Sequence, residues 1–515
     1  MLRNYLTIAI RHLTKHKLFS LINILCIAIG TTFAMLIGVY ILEQKNINHD
    51  LRNADRQYVI KSKWKAKDMG LPMTSMGPLA KTLKDDYPNL VANYFRYNPI
   101  TNVVSAGDRH FKENMAICDP TLVSMYGFPL LYGDKNKAFA SNSSAVITAS
   151  MAIKLFGTTN AINKTITISN IGNTKQDYLV SAVLKDMPYN SVNKLIDEDG
   201  YNVFLPFEGN HYYNAAGGAG ENDWNHIYMI SMIELQPGVA VKDVKKATTK
   251  LLSLNLPNNL KGMLEPEFAP LKDYYLQDNN GAVQKMINTL SLVAIFILLM
   301  AIINFVNISI GTATYRLKEI GLRKVFGSAK KQLVLQYLTE SLVLTTIAGL
   351  LSLGLYEAVR PYFNQVLNTS LAPVFKLGQQ AWLLLLLLIV VTGCISGIYP
   401  AFVLSSANII HSVKGKIDGA KGGLTLRRTL LVVQFSLAII IFISAINVSR
   451  QVAYIFNKDI GYNKDQLLVL TTFPKQWDSV GVLKMESIRK GMEAVPGIRS
   501  ASLSFEVPDR MPPYT

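Results

Sequence analysis

Residues 18–42 read LFSLINILCIAIGTTFAMLIGVYIL, 25 positions without a charge, fourteen of them Leu, Ile, Val or Phe. A hydrocarbon core about 30 Å thick takes roughly 20 residues of helix, so this stretch is long enough to cross it. At about −0.3 to −0.6 kcal/mol for each such residue near a helix centre, its insertion gain is at most roughly −4 to −8 kcal/mol, and no buried charge opposes it. A cleaved signal peptide would show an apolar region of about 7–15 residues and then a small-residue cleavage site. This run is longer and has no such site, so it reads as an uncleaved anchor.

Working outward, charge-free runs recur at 286–312, 381–404 and 429–449, and a fifth apolar segment, 342–356, begins just after Glu340. The chain of 515 residues is half hydrophobic and carries a net charge of +17. Such a charge could suggest a nucleic-acid partner, but its placement argues against one. Residues 1–17 carry +4, residues 313–332 carry +5 and residues 405–428 carry +4. Lys and Arg beside membrane helices mark the cytoplasmic side. With the N-terminus inside, alternation puts every basic connector on that side.

The expected order is an amphipathic N-terminal helix at 1–17, a span at 18–42, an outer domain at 43–285 and a span at 286–312. A cytoplasmic coupling segment at 313–332, a span at 333–357, an outer loop at 358–380 and a span at 381–404 follow. A cytoplasmic linker at 405–428, a span at 429–449 and the start of a second outer domain at 450–515 complete it. The fold class is a polytopic α-helical membrane protein of five spans with a mixed α+β extracytoplasmic domain. Of the three cysteines, Cys26 and Cys394 fall within spans and Cys118 is alone in the outer domain. That domain therefore has no internal disulfide and must be held by its own core.

Within the outer domain, 58–60, 145–148, 178–184 and 227–235 read as strands. Residues 77–86, 150–156 and 241–252 read as helices, the first ending before Pro88 and the second before Gly157. Residues 209–223, rich in Gly and Asn, read as a loop. An order of strand, helix, Pro and strand follows the first span (Asp55 to Ile60, Pro88, then 91–97) and again the fifth (Asp465 to Leu470, Pro496, then 501–505). This repeat predicts a pseudo-symmetric duplication whose second outer domain is incomplete in this chain.

Four ordered stretches carry a family resemblance. The first is Asn304-Phe305-Val306-Asn307 followed by Arg316-Leu317-Lys318-Glu319-Ile320-Gly321-Leu322-Arg323-Lys324-Val325-Phe326-Gly327. The others are Gln336-Tyr337-Leu338-Thr339-Glu340-Ser341, Gly397-Ile398-Tyr399-Pro400-Ala401-Phe402 and, in the outer domain, Ala152-Ile153-Lys154-Leu155-Phe156-Gly157. Together they resemble the permease subunits of the MacB/FtsX-type ABC transporter family. The resemblance implies a non-catalytic transmembrane subunit of the bacterial inner membrane, working with a separate cytoplasmic ABC ATPase that holds the ATP and Mg. It also implies a homodimer or pseudo-symmetric dimer, contact with membrane lipid, and a periplasmic partner or substrate that the sequence does not name. Coupling to the ATPase is then expected at Arg316, Leu317, Lys318, Glu319, Ile320, Gly321, Arg323, Lys324 and Gly327. Read from the loop alone, the same segment fits a basic connector that touches anionic lipid.

Gly30, Ala34 and Gly38 recur at four-residue spacing, as do Gly393 and Gly397, and small residues so spaced let helices approach closely. Asn304 and Asn307 are candidates for bonds between helices. The sequence has no phosphate-binding Gly-x4-Gly-Lys-Ser/Thr loop and no His-Glu-x-x-His motif, so neither ATP hydrolysis nor metal chemistry is expected of this chain. Asp223, His226 and His211 lack the spacing of a ligand set. No acid stands mid-membrane to carry a proton or cation, which weighs against a secondary transporter. An ATP-independent anchored receptor or scaffold remains the alternative. Cysteine labelling is expected to place position 324 and position 178 in different aqueous compartments; labelling of both from one side would overturn this topology.

Overall fold

The computed structural model describes residues 2–15, 17–65, 71–169, 175–195, 200–208, 220–311, 322–367, 369–406, 420–459, 466–470 and 479–504. In chain order its elements are α1 (Leu2–Lys15), α2 (Lys17–Asn46), β1 (Gln57–Trp64), α3 (Leu79–Asp86), β2 (Val91–Ala106), β3 (Arg109–Cys118), α4 (Leu122–Tyr126), β4 (Leu130–Tyr132), β5 (Ser144–Thr148) and α5 (Ala149–Phe156). Then come β6 (Thr165–Ser169), β7 (Lys175–Leu184), β8 (Val203–Pro206), β9 (Ile230–Leu235), α6 (Val241–Asn255) and β10 (Leu264–Pro270). The helices α7 (Leu271–Gly311), α8 (Lys330–Leu367), α9 (Gln379–Ser406), α10 (Ala420–Asn457) and α11 (Ser479–Glu493) complete the order. The chain divides into two units, residues 1–45 with 281–467, and residues 46–280 with 468–515.

Among the described residues of the second unit, ten strands form one mixed sheet in the order β10-β1-β9-β2-β3-β8-β5-β7-β4, with β6 paired to β2 and β7. Alternation along β2 divides its side chains between two cores. Phe95 and Tyr97 join Met125, Tyr126 and Met232 in one, while Ile100 and Val104 join Ile147, Leu155 and Val203 in the other. Strand β5 pairs with β7 in parallel and with β8 antiparallel, and is buried throughout because both its faces are covered, Ala145 and Ile147 in one core and Val146 in the other. Helix α5 opens on Thr148, whose Oγ1 accepts from the Met151 amide at 3.3 Å, and closes on Gly157 at φ 72°. That left-handed position suits glycine, which has no Cβ to clash. Helix α3 stops at Asp86, two residues before Pro88.

The charged centre of this unit is the pair Arg96 and Asp119, only 3% and 4% exposed. The guanidinium donates twice to the carboxylate, Nε and Nη2 each at 2.9 Å. Its Nη1 donates to the carbonyls of Gly77 at 2.9 Å and Glu221 at 2.6 Å. The Arg96 amide adds a bond to Asp119 Oδ2 at 2.8 Å. Tyr94 and Phe207 lie against the cation at 5.4 and 5.5 Å. One side chain thus ties β2, the end of β3, the approach to α3 and the segment before β9.

The structure departs from the sequence reading at several places. The strand expected at 227–235 begins at Ile230; Met229 makes only an isolated bridge to Ser75. The boundaries expected at 43 and 285 fall inside helices, since α2 runs to Asn46 and α7 starts at Leu271. Apolar content marks where a helix meets lipid, not where its hydrogen bonds end. The linker expected at 405–428 is helical up to Ser406 and again from Ala420. Of the repeated order after the fifth span, the helix is present as α11, but 467–470 and 501–504 are not strands. Their counterparts β1 and β2 are held between β9 and β10 and between β9 and β3, and a strand needs such a neighbour for its backbone groups. Tyr178 is buried at 1% exposure, so an outer label belongs on an exposed residue such as Lys135.

Among the described residues, five helices are long and apolar enough to cross a membrane, with candidate spans Lys17–Asn46, Asn280–Ser309, Lys330–Leu367, Gln379–Ile398 and Arg428–Asn457. Helices α8 and α9 pack face to face through glycines. A Cβ placed on Gly393 would come within 2.7 Å of Thr345 Oγ1, and one on Gly397 within 2.7 Å of Ser341 Oγ. On α2, a Cβ on Gly30 would meet Ala301 of α7 at 2.9 Å, and one on Gly38 would meet Leu384 of α9 at 2.5 Å. Gly349 of α8 abuts Ile389 of α9 in the same way, at 2.5 Å. The opposite end of the α8–α9 pair is closed by its connecting loop. Tyr356 Oη donates to the Ala372 carbonyl at 2.9 Å, and the Leu371 amide donates to Asn364 Oδ1 at 3.0 Å. Leu371 and Val374 pack there with Met35, Val39 and Leu385.

Two outcomes follow from this packing. Arg96→Met strands a buried carboxylate and is expected to lower the stability of the sheet by about 3–5 kcal/mol, whereas Arg96→Met/Asp119→Leu recovers most of it; hydrogen-exchange protection of the sheet amides in the full chain measures both. Gly397→Leu overpacks the α8–α9 contact and is expected to cost about 1–3 kcal/mol or to leave those helices apart. Gly354→Leu, where a Cβ meets nothing within 4 Å, is expected to be near neutral; thermal melting of the two variants in detergent measures the difference.

Candidate coupling site

The basic segment expected to carry coupling is described from residue 322 onward; Arg316, Leu317, Lys318, Glu319, Ile320 and Gly321 lie outside the described residues. Residues 322–325 are helical and end in a closed cap. Gly327 takes φ 90°, its amide donates to the Lys324 carbonyl at 3.0 Å, and the Ser328 amide donates to the Arg323 carbonyl at 3.0 Å. These two bonds form the cap that a left-handed glycine permits at a helix end, and they account for glycine at 327. Helix α8 then starts at once. The Ala329 amide donates to Gln332 Oε1 at 3.0 Å, and the Gln332 amide donates to the Ala329 carbonyl at 3.0 Å. Such reciprocal bonding satisfies amides that a helix start leaves unpaired. The short helix is therefore joined to α8 through a turn with little freedom.

Side chains strengthen this joint. Arg323 Nη1 donates to Gln336 Oε1, and Gln336 is buried. One turn further along α8, on the same face, Glu340 Oε1 lies 3.0 Å from Nδ1 of His12 on α1. Helix α1 rests on α8 with Ala9 buried and with Arg3, Arg11 and Lys15 exposed. Partial burial, and then the charge of Lys330, hold the Lys324 ammonium below the usual lysine range. The outward face of the short helix is apolar, with Leu322, Val325 and Phe326 exposed at 55%, 61% and 85%.

The other residues singled out from the sequence are spread through the first unit. Gly30, Gly38, Gly393 and Gly397 stand at the helix contacts described above, and Ala34 is buried. Asn304 Nδ2 donates to Cys26 Sγ at 2.9 Å, and Asn307 Nδ2 reaches Gln434 Oε1 at 3.4 Å. Among the described residues no three of His, Cys, Asp and Glu are grouped to hold a metal. Asp223 Oδ1 accepts from Asn225, and burial lowers the basicity of His226; His211 lies outside the described residues.

Sequence reading named Gln336, Glu340 and Phe326 only as members of the family motifs, with no role for any of them at the coupling site, and did not single out His12. Glu340 was visible as an acid beside an apolar run, but its partner stands 328 positions earlier and no spacing rule links them.

Comparison with known proteins follows the same division of the chain. Residues 20–251 match the family model of the MacB-like periplasmic core domain, and residues 291–409 match that of the FtsX-like permease C-terminal region. The ABC transporter permease YknZ of Bacillus subtilis is 25% identical over 221 residues, 43% of this chain and 49% of that protein. The macrolide export ATP-binding/permease protein MacB of Bdellovibrio bacteriovorus is 30% identical over 140 residues, 26% of this chain and 20% of that protein. The chain thus spans about half or less of the curated relatives it matches. A domain of a putative permease from Porphyromonas gingivalis aligns with a TM-score of 0.35 at 18% identity, covering 43% of this chain and 92% of that domain. The periplasmic region of MacB from Actinobacillus actinomycetemcomitans aligns with a TM-score of 0.33 at 14% identity, covering 45% and 96%. With both family models matched in order around its apolar helices, the chain belongs to the MacB/FtsX-type ABC transporter permease family, multi-pass proteins of the inner membrane.

Proposed function

We propose that this chain is a permease subunit that takes up ATP-driven motion of a separate cytoplasmic ATPase at residues 313–332 and relays it to the outer domain. There the motion exports or releases a substrate, or regulates an envelope partner. The observation that carries this reading is the short capped helix. It presents Leu322, Val325 and Phe326 to solvent, beside Arg323 and Lys324, on a base tied to α8 through Gln336. A connector that served only to set topology would gain nothing from an exposed phenylalanine on a stiff mount. An apolar centre with a charged rim is what a docked protein covers.

In this reading the N-terminus, the segment 313–332 and the segment 405–428 face the cytoplasm, and ATP and Mg are held by the partner. The names of the MacB and pyoverdine-export relatives join ATP binding to permease function, which supports a partner of that class here. Two copies, or two pseudo-symmetric halves, would flank the path of movement. An exported macrolide or pyoverdine, as those names give, is one substrate for this chain in this reading.

The test is co-purification from membranes. A P-loop ATPase is expected to accompany the wild-type chain. Phe326→Asp is expected to weaken that association about tenfold or more, since it places a charge in the contact. Glu319 and Gly321 substitutions are expected to abolish ATP-dependent activity without removing the chain from the membrane. Full ATP-dependent activity in those variants would refute coupling at this segment, and absence of any ATPase partner would favour the anchored receptor or scaffold.

A further inference from the structure

We propose that Asn48 is the residue through which movement of the two membrane helices flanking the outer domain reaches its sheet, an inference that rests on the relay function above. Asn48 stands two residues beyond the end of α2, in left-handed backbone at φ 69°. Asparagine enters that region more readily than other side-chain-bearing residues. It is buried, at 4% exposure. Its amide Nδ2 donates to the carbonyl of Leu271, the first residue of α7, at 2.8 Å. The same group donates to Ser191 Oγ at 3.0 Å, and Oδ1 accepts from the Ser191 amide at 2.7 Å.

Each of the three attachments leads into the sheet or its core. Leu271 is fully buried, in the cluster that contains Val59, Phe95 and Met232. Ser191 belongs to a turn braced by Asn190, whose Oδ1 accepts from the amides of Val192 at 3.0 Å and Asn193 at 2.8 Å. Val192 is in the same cluster as Leu271. One carboxamide therefore joins the chain leaving α2, the chain starting α7 and a braced segment of the core. Apolar contacts are non-directional and permit sliding. Directional bonds closed off from water do not, because parting any of them leaves a buried polar group without a partner. The neighbouring ion pair of Lys272 and Asp55, at 2.7 Å, is exposed and screened by water, so it makes a weaker tie.

The experiment uses the full chain with its co-purified ATPase in lipid nanodiscs, and reads hydrogen exchange of residues 46–280 with and without ATP. Asn48→Gly admits the backbone conformation and removes all three bonds. Asn48→Asp keeps an acceptor for the Ser191 amide and cannot donate to the Leu271 carbonyl. Both are expected to retain ATP hydrolysis, with exchange of β5 and β7 unchanged in the absence of ATP, while the ATP-induced change in exchange falls about tenfold. If Asn48→Gly loses sheet protection without ATP, Asn48→Asp decides the matter. A wild-type-sized ATP response in a folded variant overturns the role of Asn48. A wild-type complex without any ATP-induced change overturns the relay function itself.

Discussion

Close approach between helix backbones is the constraint on which the membrane unit depends. In hydrocarbon, lipid tails are as apolar as leucine, so apolar surface alone gives helices no reason to associate. What remains is dispersion over well-matched surfaces, and that requires short separations. Gly393 and Gly397 provide them on α9, opposite Thr345, Leu342 and Ser341, and Gly30 and Gly38 do so on α2. Polar side chains in the same contacts bond within their own helix, as Thr345 does to the Ser341 carbonyl and Ser396 to the Thr392 carbonyl. They thereby avoid unpaired groups in a medium that cannot solvate them. By contrast α10 keeps its large apolar side chains exposed, which suits a helix surrounded by lipid.

The outer domain solves a different problem. Water drives its apolar groups together, and without a disulfide it relies on burial and on a few polar anchors. Burial of Arg96 and Asp119 would be costly for either alone. A bidentate pair with two further carbonyl acceptors and a backbone donor leaves few of their bonding positions unused. Because those carbonyls belong to segments far apart in the chain, the pair sets where the segments meet more than it adds net stability. Asn48 works in the same manner at the place where the domain's chain begins and ends.

At the start of α8, the joint made by Gly327, Arg323, Gln336, Glu340 and His12 contains little that can stretch. A closed helix cap leads directly into a helix start, and two successive turns of α8 hold one side chain from the short helix and one from α1. Stiffness here and directional anchoring at Asn48 belong to the same mechanical logic. In the relay we propose, force would pass through bonded, buried groups and be lost through sliding ones.

Much of this protein was legible in order along the chain. The five spans, the basic connectors beside them, the cap at Gly157, the end of α3 before Pro88 and the ordered family motifs each depend on a residue and its near neighbours. Transfer into lipid and local backbone preference are nearly additive over short windows. What only the tertiary structure decided was pairing: His12 with Glu340, Arg323 with Gln336, Arg96 with Asp119, Asn48 with Ser191 and Leu271, and which glycine faces which side chain. The strands expected at 465–470 and 501–505 illustrate the limit, since the described residues 467–470 and 501–504 are not strands and a strand exists only beside another strand. Hydropathy describes a residue against its solvent, whereas a hydrogen bond or a close helix contact needs two positions brought together from across the chain, and their separation in sequence carries no trace of it.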